Sequence, residues 1–371
     1  MLIQAPQREY RTWIFDSRRW QHYRPRPGDI VIVTYPKCGT TWMQRIVSLL
    51  VFQSPEPKPI TQISAWIDRR WPQPIEAVIA QIEAQEHRRF LKSHLPLDGL
   101  PFYDDIKYVH VARDGRDACM SFHNHGTGFT EQVLAALNKA GLADEAVGRP
   151  YPEIEANPGE FFHRWITRGE VPGHEDGSPS MSFFHFERSW WEARRRSNVL
   201  MVHYNDLQAD LSSEMERISA FLGISVVPNL WPALVEAASF EVMRRDGEAL
   251  IPNLAPLFKN RSQTFFFKAT NGRWRGVVAE ADLALYEAKV RAMLSPDCAR
   301  WVAAAASRRG TQTNATGRIT RSNRITAPRN RRTAGPKGSA GFEWRRVWPC
   351  TASQPSAGDT TRLACQGWQR N

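Results

Sequence analysis

Four residues in a short span, Lys37, Gly39, Thr40 and Thr41, have the types needed to hold an anion such as a phosphate. The lysine supplies a point charge, the glycine lets backbone N–H groups approach closely, and the hydroxyls donate to anionic oxygens. A second grouping is Lys92 and His94 in RFLKSH, where an extended chain turns both side chains to one face. There a neutral imidazole, with an ordinary pKa of about 6.5, can take a proton from an attacking hydroxyl. A third is Arg113 with Ser121 in YVHVARDGRDACMSFHNH, which one helical turn would bring together as a second anion site. Taken alone, an arginine in that position is more often half of a structural ion pair. His123 and His125 diverge on a helix and read as pocket or surface residues. No HExxH pattern or Cys-based zinc spacing occurs, and no metal is expected.

These residues need elements to position them. DIVIVTY, residues 29–35, is a β-branched run entered through the loop signal PRPGD, and it predicts a buried strand. PKCGTT follows, and then WMQRIVSLLVFQ, in which Trp42, Ile46, Leu49 and Leu50 recur at helical spacing. A turn from strand into helix delivers free N–H groups and the positive end of the helix dipole to one place, which is an anion site. The pattern is not GxxxxGK[ST], because Lys37 precedes Gly39 and position 34 is Thr34. Further strands are predicted over residues 89–94, 107–113 and 198–204, with helical or irregular stretches between them. That alternation predicts an α/β fold, a three-layer sandwich around a central parallel sheet. Residues 210–222 predict an amphipathic helix that stops at Gly223.

TYPKCGTTW resembles TYPKSGTTW, the loop of the sulfotransferases that use 3′-phosphoadenosine 5′-phosphosulfate, the cytosolic type with a phosphate-loop nucleoside triphosphate hydrolase-like fold. The resemblance implies that Lys37, Cys38, Gly39, Thr40 and Thr41 grip the 5′-phosphosulfate and that Trp42 stacks on adenine. Cys38 replaces the usual serine, and a thiol is the poorer donor. The segment around Arg113 and Ser121 is similar to YVARNPKDVAVSYYHF, which implies that this pair holds the 3′-phosphate. FFFKATNGRWRGVV is similar to RKGxxGxWK, with Lys268, Gly272 and Trp274 matching, and Phe267 and Ala269 in place of Arg and Gly. Tyr204 and Phe240 would border the adenine, although each serves equally as a core aromatic. KSHLP resembles KTHLP, which implies that His94 is the general base and that Lys92 contacts the transferring group. In-line transfer to an acceptor hydroxyl would then leave 3′,5′-bisphosphoadenosine, with Lys37 stabilising the leaving oxygen. The acceptor is expected to be a small alcohol or phenol in a pocket around Phe90, residues 122–125 and residues 183–186. A homodimer is allowed for. The competing readings are a phosphate-loop nucleotide kinase or NTPase, and a nucleic-acid binder acting through an arginine-rich tail.

The last reading starts from a net charge of +11 and a pI near 9.7. Residues 308–371 contain 13 Lys and Arg against two acids, whereas residues 1–307 contain 36 of each sign. The folded body is therefore neutral, which argues against nucleic acid as its partner. The tail holds only five Ile, Leu, Val, Phe or Met residues, too few to offset the entropy of ordering, so it is expected to be disordered. The domain is placed at residues 1–307, where 42% hydrophobic content over the whole chain supplies a core. There is no apolar run long enough for a membrane span and no apolar leader at the start. Five cysteines without pairing or ligand spacing point to a reducing, cytoplasmic setting.

Overall fold

Five consecutive β-branched residues make up the first central strand, β1 (Ile30–Thr34), and all five are buried. Parallel strands β2 (Phe90–Ser93), β3 (Lys107–Ala112) and β4 (Val199–His203) complete a sheet in the order β2-β1-β3-β4. The register sets Ile30 against both Phe90 and Lys107, and Val109 against Leu200. Each strand ends one residue before the predicted limit, which places His94, Arg113 and Tyr204 immediately past strand ends. The computed structural model describes residues 1–252 and 254–303. The expected disordered segment over 308–371, and its boundary, lie outside the described residues.

Strand alternation sorts the core into two faces. Ile30, Ile32, Val109 and Val111 pack with Met43, Ile46 and Leu50 of α1 (Thr40–Phe52). Opposite them, Val31, Val33, Leu91 and Tyr108 pack with Trp165, Phe183, Phe186 and Trp190. Burying each such aliphatic side chain contributes about 1.5–3 kcal/mol, so both sheet faces need a helical cover. The result is the predicted three-layer α/β sandwich. α2 (Gly115–Thr127) starts from β3 with the Asp114 side chain accepting from Arg116 N, and it carries Ser121. α3 (Leu211–Leu222) stops where Gly223 takes φ +65°, as its sequence predicts. No helix among the described residues is long and apolar enough to cross a membrane.

A third apolar cluster, with Trp13, Phe129, Val133, Leu137, Leu254 and Phe258, packs beside the sheet and not on it. It joins the helix Glu131–Leu142 to residues more than a hundred positions later. Parallel topology brings the C-terminal ends of all four central strands to one edge, where α/β sheets bind their ligands.

Candidate active site

At that edge lies a cavity of about 610 Å³. The turn after β1 reaches it through two left-handed residues, Lys37 at φ +73° and Gly39 at φ +100°. A Cβ on Gly39 would stand 3.0 Å from the Tyr204 ring, so conformation and space both call for glycine. Met43 N is bonded back to Gly39 O at 2.9 Å. The N–H groups of residues 40–42, one turn earlier, have no intrahelical partner and are available to an anion. Gly39, Thr40, Thr41 and Trp42 all line the cavity. Cys38 does not: its side chain is fully buried in the core beneath the loop, and burial pushes its thiol well up, away from thiolate character. Serine's replacement by cysteine therefore falls on an inward-facing position.

Lys37 Nζ donates to His125 Nδ1 at 3.1 Å and lies 5.2 Å from the centre of the Phe265 ring. Burial, and secondly the charge of Arg113, bring its pKa down to about 8. Lys92 Nζ stands 4.0 Å over the Trp66 indole, and burial together with Arg69 brings it down to about 7. His94 Nδ1 is 2.7 Å from Thr34 O. A carbonyl only accepts, so Nδ1 carries the proton and Nε2 keeps its lone pair. Burial, reinforced by the Lys92 charge, lowers His94 to about 3, and the imidazole is neutral at physiological pH. Thr34 Oγ1 is 2.6 Å from Thr40 Oγ1, linking the residue that holds His94 to the turn after β1. Under this strand end the carboxylate of Asp68 accepts from Trp66 Nε1 at 2.8 Å and from His94 N at 3.3 Å.

Arg113 closes the other side. It donates to Lys37 O at 3.2 Å and to Asn271 Oδ1 at 2.7 Å, and its Cζ lies 4.3 Å over the Tyr204 ring. No carboxylate pairs directly with it among the described residues, and Asp117 is the acid whose charge it acts on. Ser121, Lys268 and Arg273 line the same cavity, and Arg273 Nη2 donates to Met120 O at 3.3 Å. Gly272 stays outside the lining, its N–H donating to Asp117 Oδ1 at 2.6 Å. Trp42, Tyr204 and Phe240 all border the cavity, the first two ring to ring at 5.3 Å. Among the described residues Glu241 is the sole acid in the lining, and no group of three or more His, Cys, Asp or Glu is placed to hold a metal ion.

The apolar end departs from expectation. Phe122 and His125 do line the cavity, but Phe90 packs under α1 and Phe183, Phe184 and Phe186 pack against the opposite sheet face. The wall is instead formed by Phe129, Val133, Leu137, Ile251, Leu254 and Phe258. Sequence reasoning also missed the bond between His125 and Lys37, for which a signal existed. His125 stands four residues after Ser121 on α2 and shares its face. His123 turns away to Glu155 O at 2.9 Å.

A parallel sheet whose strand ends carry a glycine turn opening a helix, a second cationic corner and a neutral imidazole is the arrangement of a phosphate-loop type of α/β fold. Residues 27–290 match the family described as Sulfotransferase domain, and the chain belongs to that family. A glycolipid sulfotransferase of Mycobacterium tuberculosis is 33% identical over 308 residues, covering 79% of this chain and 93% of its own length. Mouse sulfotransferase SULT7A1 complexed with PAP shares the fold, with TM-score 0.55 and 21% identity over 76% of this chain and 88% of its own. So does retinol dehydratase in complex with androsterone and inactive cofactor PAP, with TM-score 0.59 and 21% identity over 79% and 88%. The family match displaces the nucleotide-kinase alternative.

Proposed function

We propose that this sulfotransferase moves a sulfuryl group from 3′-phosphoadenosine 5′-phosphosulfate to a hydroxyl of an acceptor with a substantial apolar part, a glycolipid being the class favoured. The observation that carries the reading is His94, held neutral by burial and bonded through Nδ1 to Thr34 O, in a cavity whose other side is the Lys37 turn and Arg113. The residues fit the donor. Lys37 and the free N–H groups of residues 40–42 suit its 5′ end, and Arg113, Ser121 and Lys268 suit its 3′-phosphate. Trp42, Tyr204 and Phe240 suit the adenine. The donor, when bound, supplies an activated sulfuryl group.

In this mechanism His94 Nε2 takes the acceptor's hydroxyl proton as the oxygen bonds to sulfur. Lys92 balances charge on the sulfonate oxygens, and Lys37 balances it on the departing phosphate oxygen. Lys37 Nζ has three N–H groups, so it can turn one to the anion while another stays on His125. The cationic lining concentrates positive charge where negative charge develops. The wall from Phe129 to Phe258 and the name of the mycobacterial relative support a lipid-bearing acceptor. The buried free thiols Cys38, Cys119 and Cys298 support a reducing, cytoplasmic setting. The test is to titrate with 3′,5′-bisphosphoadenosine while following the melting temperature, and then to screen glycolipids, long-chain alcohols and phenols for sulfated product by mass spectrometry. A rise in melting temperature with product from lipid-bearing acceptors is expected. No rise, or product from small phenols alone, would contradict the reading.

A further inference from the structure

Arg69 differs from the other partly or fully buried arginines. Its neighbour Arg70 reaches Asp144 and Asp16, Arg89 reaches Asp29, and Arg116 reaches Asp114. Arg19, Arg45 and Arg88 donate to backbone carbonyls. Among the described residues the Arg69 guanidinium has no hydrogen-bond or ion-pair partner at all. It lies between two indoles instead, its Cζ 5.4 Å from the Trp66 ring centre and 4.5 Å from that of Trp71. All three side chains line the cavity. Burial alone lowers Arg69 to about 10, with no carboxylate offsetting it.

Its position ties it to the acceptor side. Trp66 also carries Lys92 Nζ on its ring at 4.0 Å, and the His94 ring meets it edge-on at 5.0 Å. One indole therefore separates Arg69 from the base. Its charge acts on Lys92 and His125, whereas the neighbour that depresses Lys37 is Arg113. The backbone holds the residue in place, with Arg69 bridged to Phe15 and Trp66 bridged to Lys92. A half-buried cation without a counter-charge is unfavourable. Stacking on indoles stabilises the flat faces of a guanidinium but leaves its N–H fork open, and that fork matches a carboxylate or a similar anionic oxygen pair.

We propose that Arg69 is the specificity-determining residue of the acceptor end, binding an anionic oxygen group of an acceptor whose hydroxyl lies at His94. The proposal rests on the sulfuryl-transfer reading and narrows its substrate class: the acceptor is an anionic amphiphile, with its charged group a short distance from the reacting hydroxyl and its hydrocarbon along the apolar wall. The test uses the full chain with hydroxy fatty acids and their methyl esters, the hydroxyl moved carbon by carbon along the chain, and reads kcat/KM. Wild type is expected to prefer the acid at least tenfold at the best spacing, mainly through KM. Arg69→Gln brings the acid-to-ester ratio to about one, and Arg69→Lys recovers part of it, while 3′,5′-bisphosphoadenosine still raises the melting temperature of both. A wild-type ratio of one or below, or a ratio unchanged in Arg69→Gln, overturns the assignment. Loss of the bisphosphoadenosine shift in the variant also overturns it, by giving the guanidinium to the donor. Wild type that melts higher with the bisphosphoadenosine yet sulfates neither acid nor ester overturns the acceptor class. Wild type with no melting shift overturns the sulfuryl-transfer reading beneath it.

Discussion

Burial holds the ammonium of Lys37 at about 8 and that of Lys92 at about 7, so both groups exchange protons with solvent near neutral pH. An anion beside Lys37 favours its charged form and raises its pKa, and binding then takes up a proton. The sign follows: affinity for 3′,5′-bisphosphoadenosine is full below about pH 7 and falls as pH rises past about 8, because each binding event must recharge the lysine. Melting shifts measured at about pH 6.5, 7.5 and 9 should decrease in that order, and Lys37→Met should flatten the series. A wild-type series that rises with pH would count against an anion at Lys37. His94 behaves differently, since its pKa of about 3 keeps the imidazole neutral across this range. The bond between Lys37 and His125 fixes where the ammonium stands and leaves its other N–H groups for a phosphate.

At the scale of elements, the C-terminal segment that meets Arg113 shows the effect of one departure from the family pattern. Ala269 stands where the resembling motif has glycine, and it takes φ +50°, a conformation that costs a non-glycine residue about 1–2 kcal/mol. Its carbonyl accepts from Gln208, and Asn271, two residues on, accepts from Arg113, so the segment is held despite the strain. Ala269→Gly should therefore stabilise the protein by about 1 kcal/mol, less the added freedom of the unfolded chain, read as a higher denaturant midpoint. A lower midpoint would mean that the methyl group packs favourably. The strands and the Lys37 turn were legible because β-branched runs bounded by turn residues have one stable use, and because the turn residues are chemically specialised. The apolar wall was not legible: Phe129, Leu137, Leu254 and Phe258 come from distant segments whose meeting is a tertiary event. FFHF at residues 183–186 misled because a continuous aromatic run does not show which layer it enters, and the helix Phe183–Ala193 spends it on the sheet. Cys38 was misplaced because side chains in a tight turn follow no period, and one residue among donors can face the core.

Over the whole molecule the net charge of +11 divides between a neutral body and residues 308–371, so the cations of the site are local groups in a balanced domain. The family match ends at residue 290 and the last described helix ends at Val302, before the basic excess begins. Deleting residues 308–371 should leave the melting temperature and turnover within error of the full chain. A drop in either would assign the tail to the fold or to the reaction. In the proposed reaction His94 is the base of sulfuryl transfer and not part of the donor site. The most direct measurement follows radiolabelled sulfuryl from 3′-phosphoadenosine 5′-phosphosulfate to an accepted lipid-bearing alcohol, in wild type and His94→Ala, beside the melting shift with 3′,5′-bisphosphoadenosine. Transfer reduced by about a hundredfold or more with the shift intact is the predicted result. Transfer retained in the variant, or a shift lost along with it, would contradict the role assigned to His94.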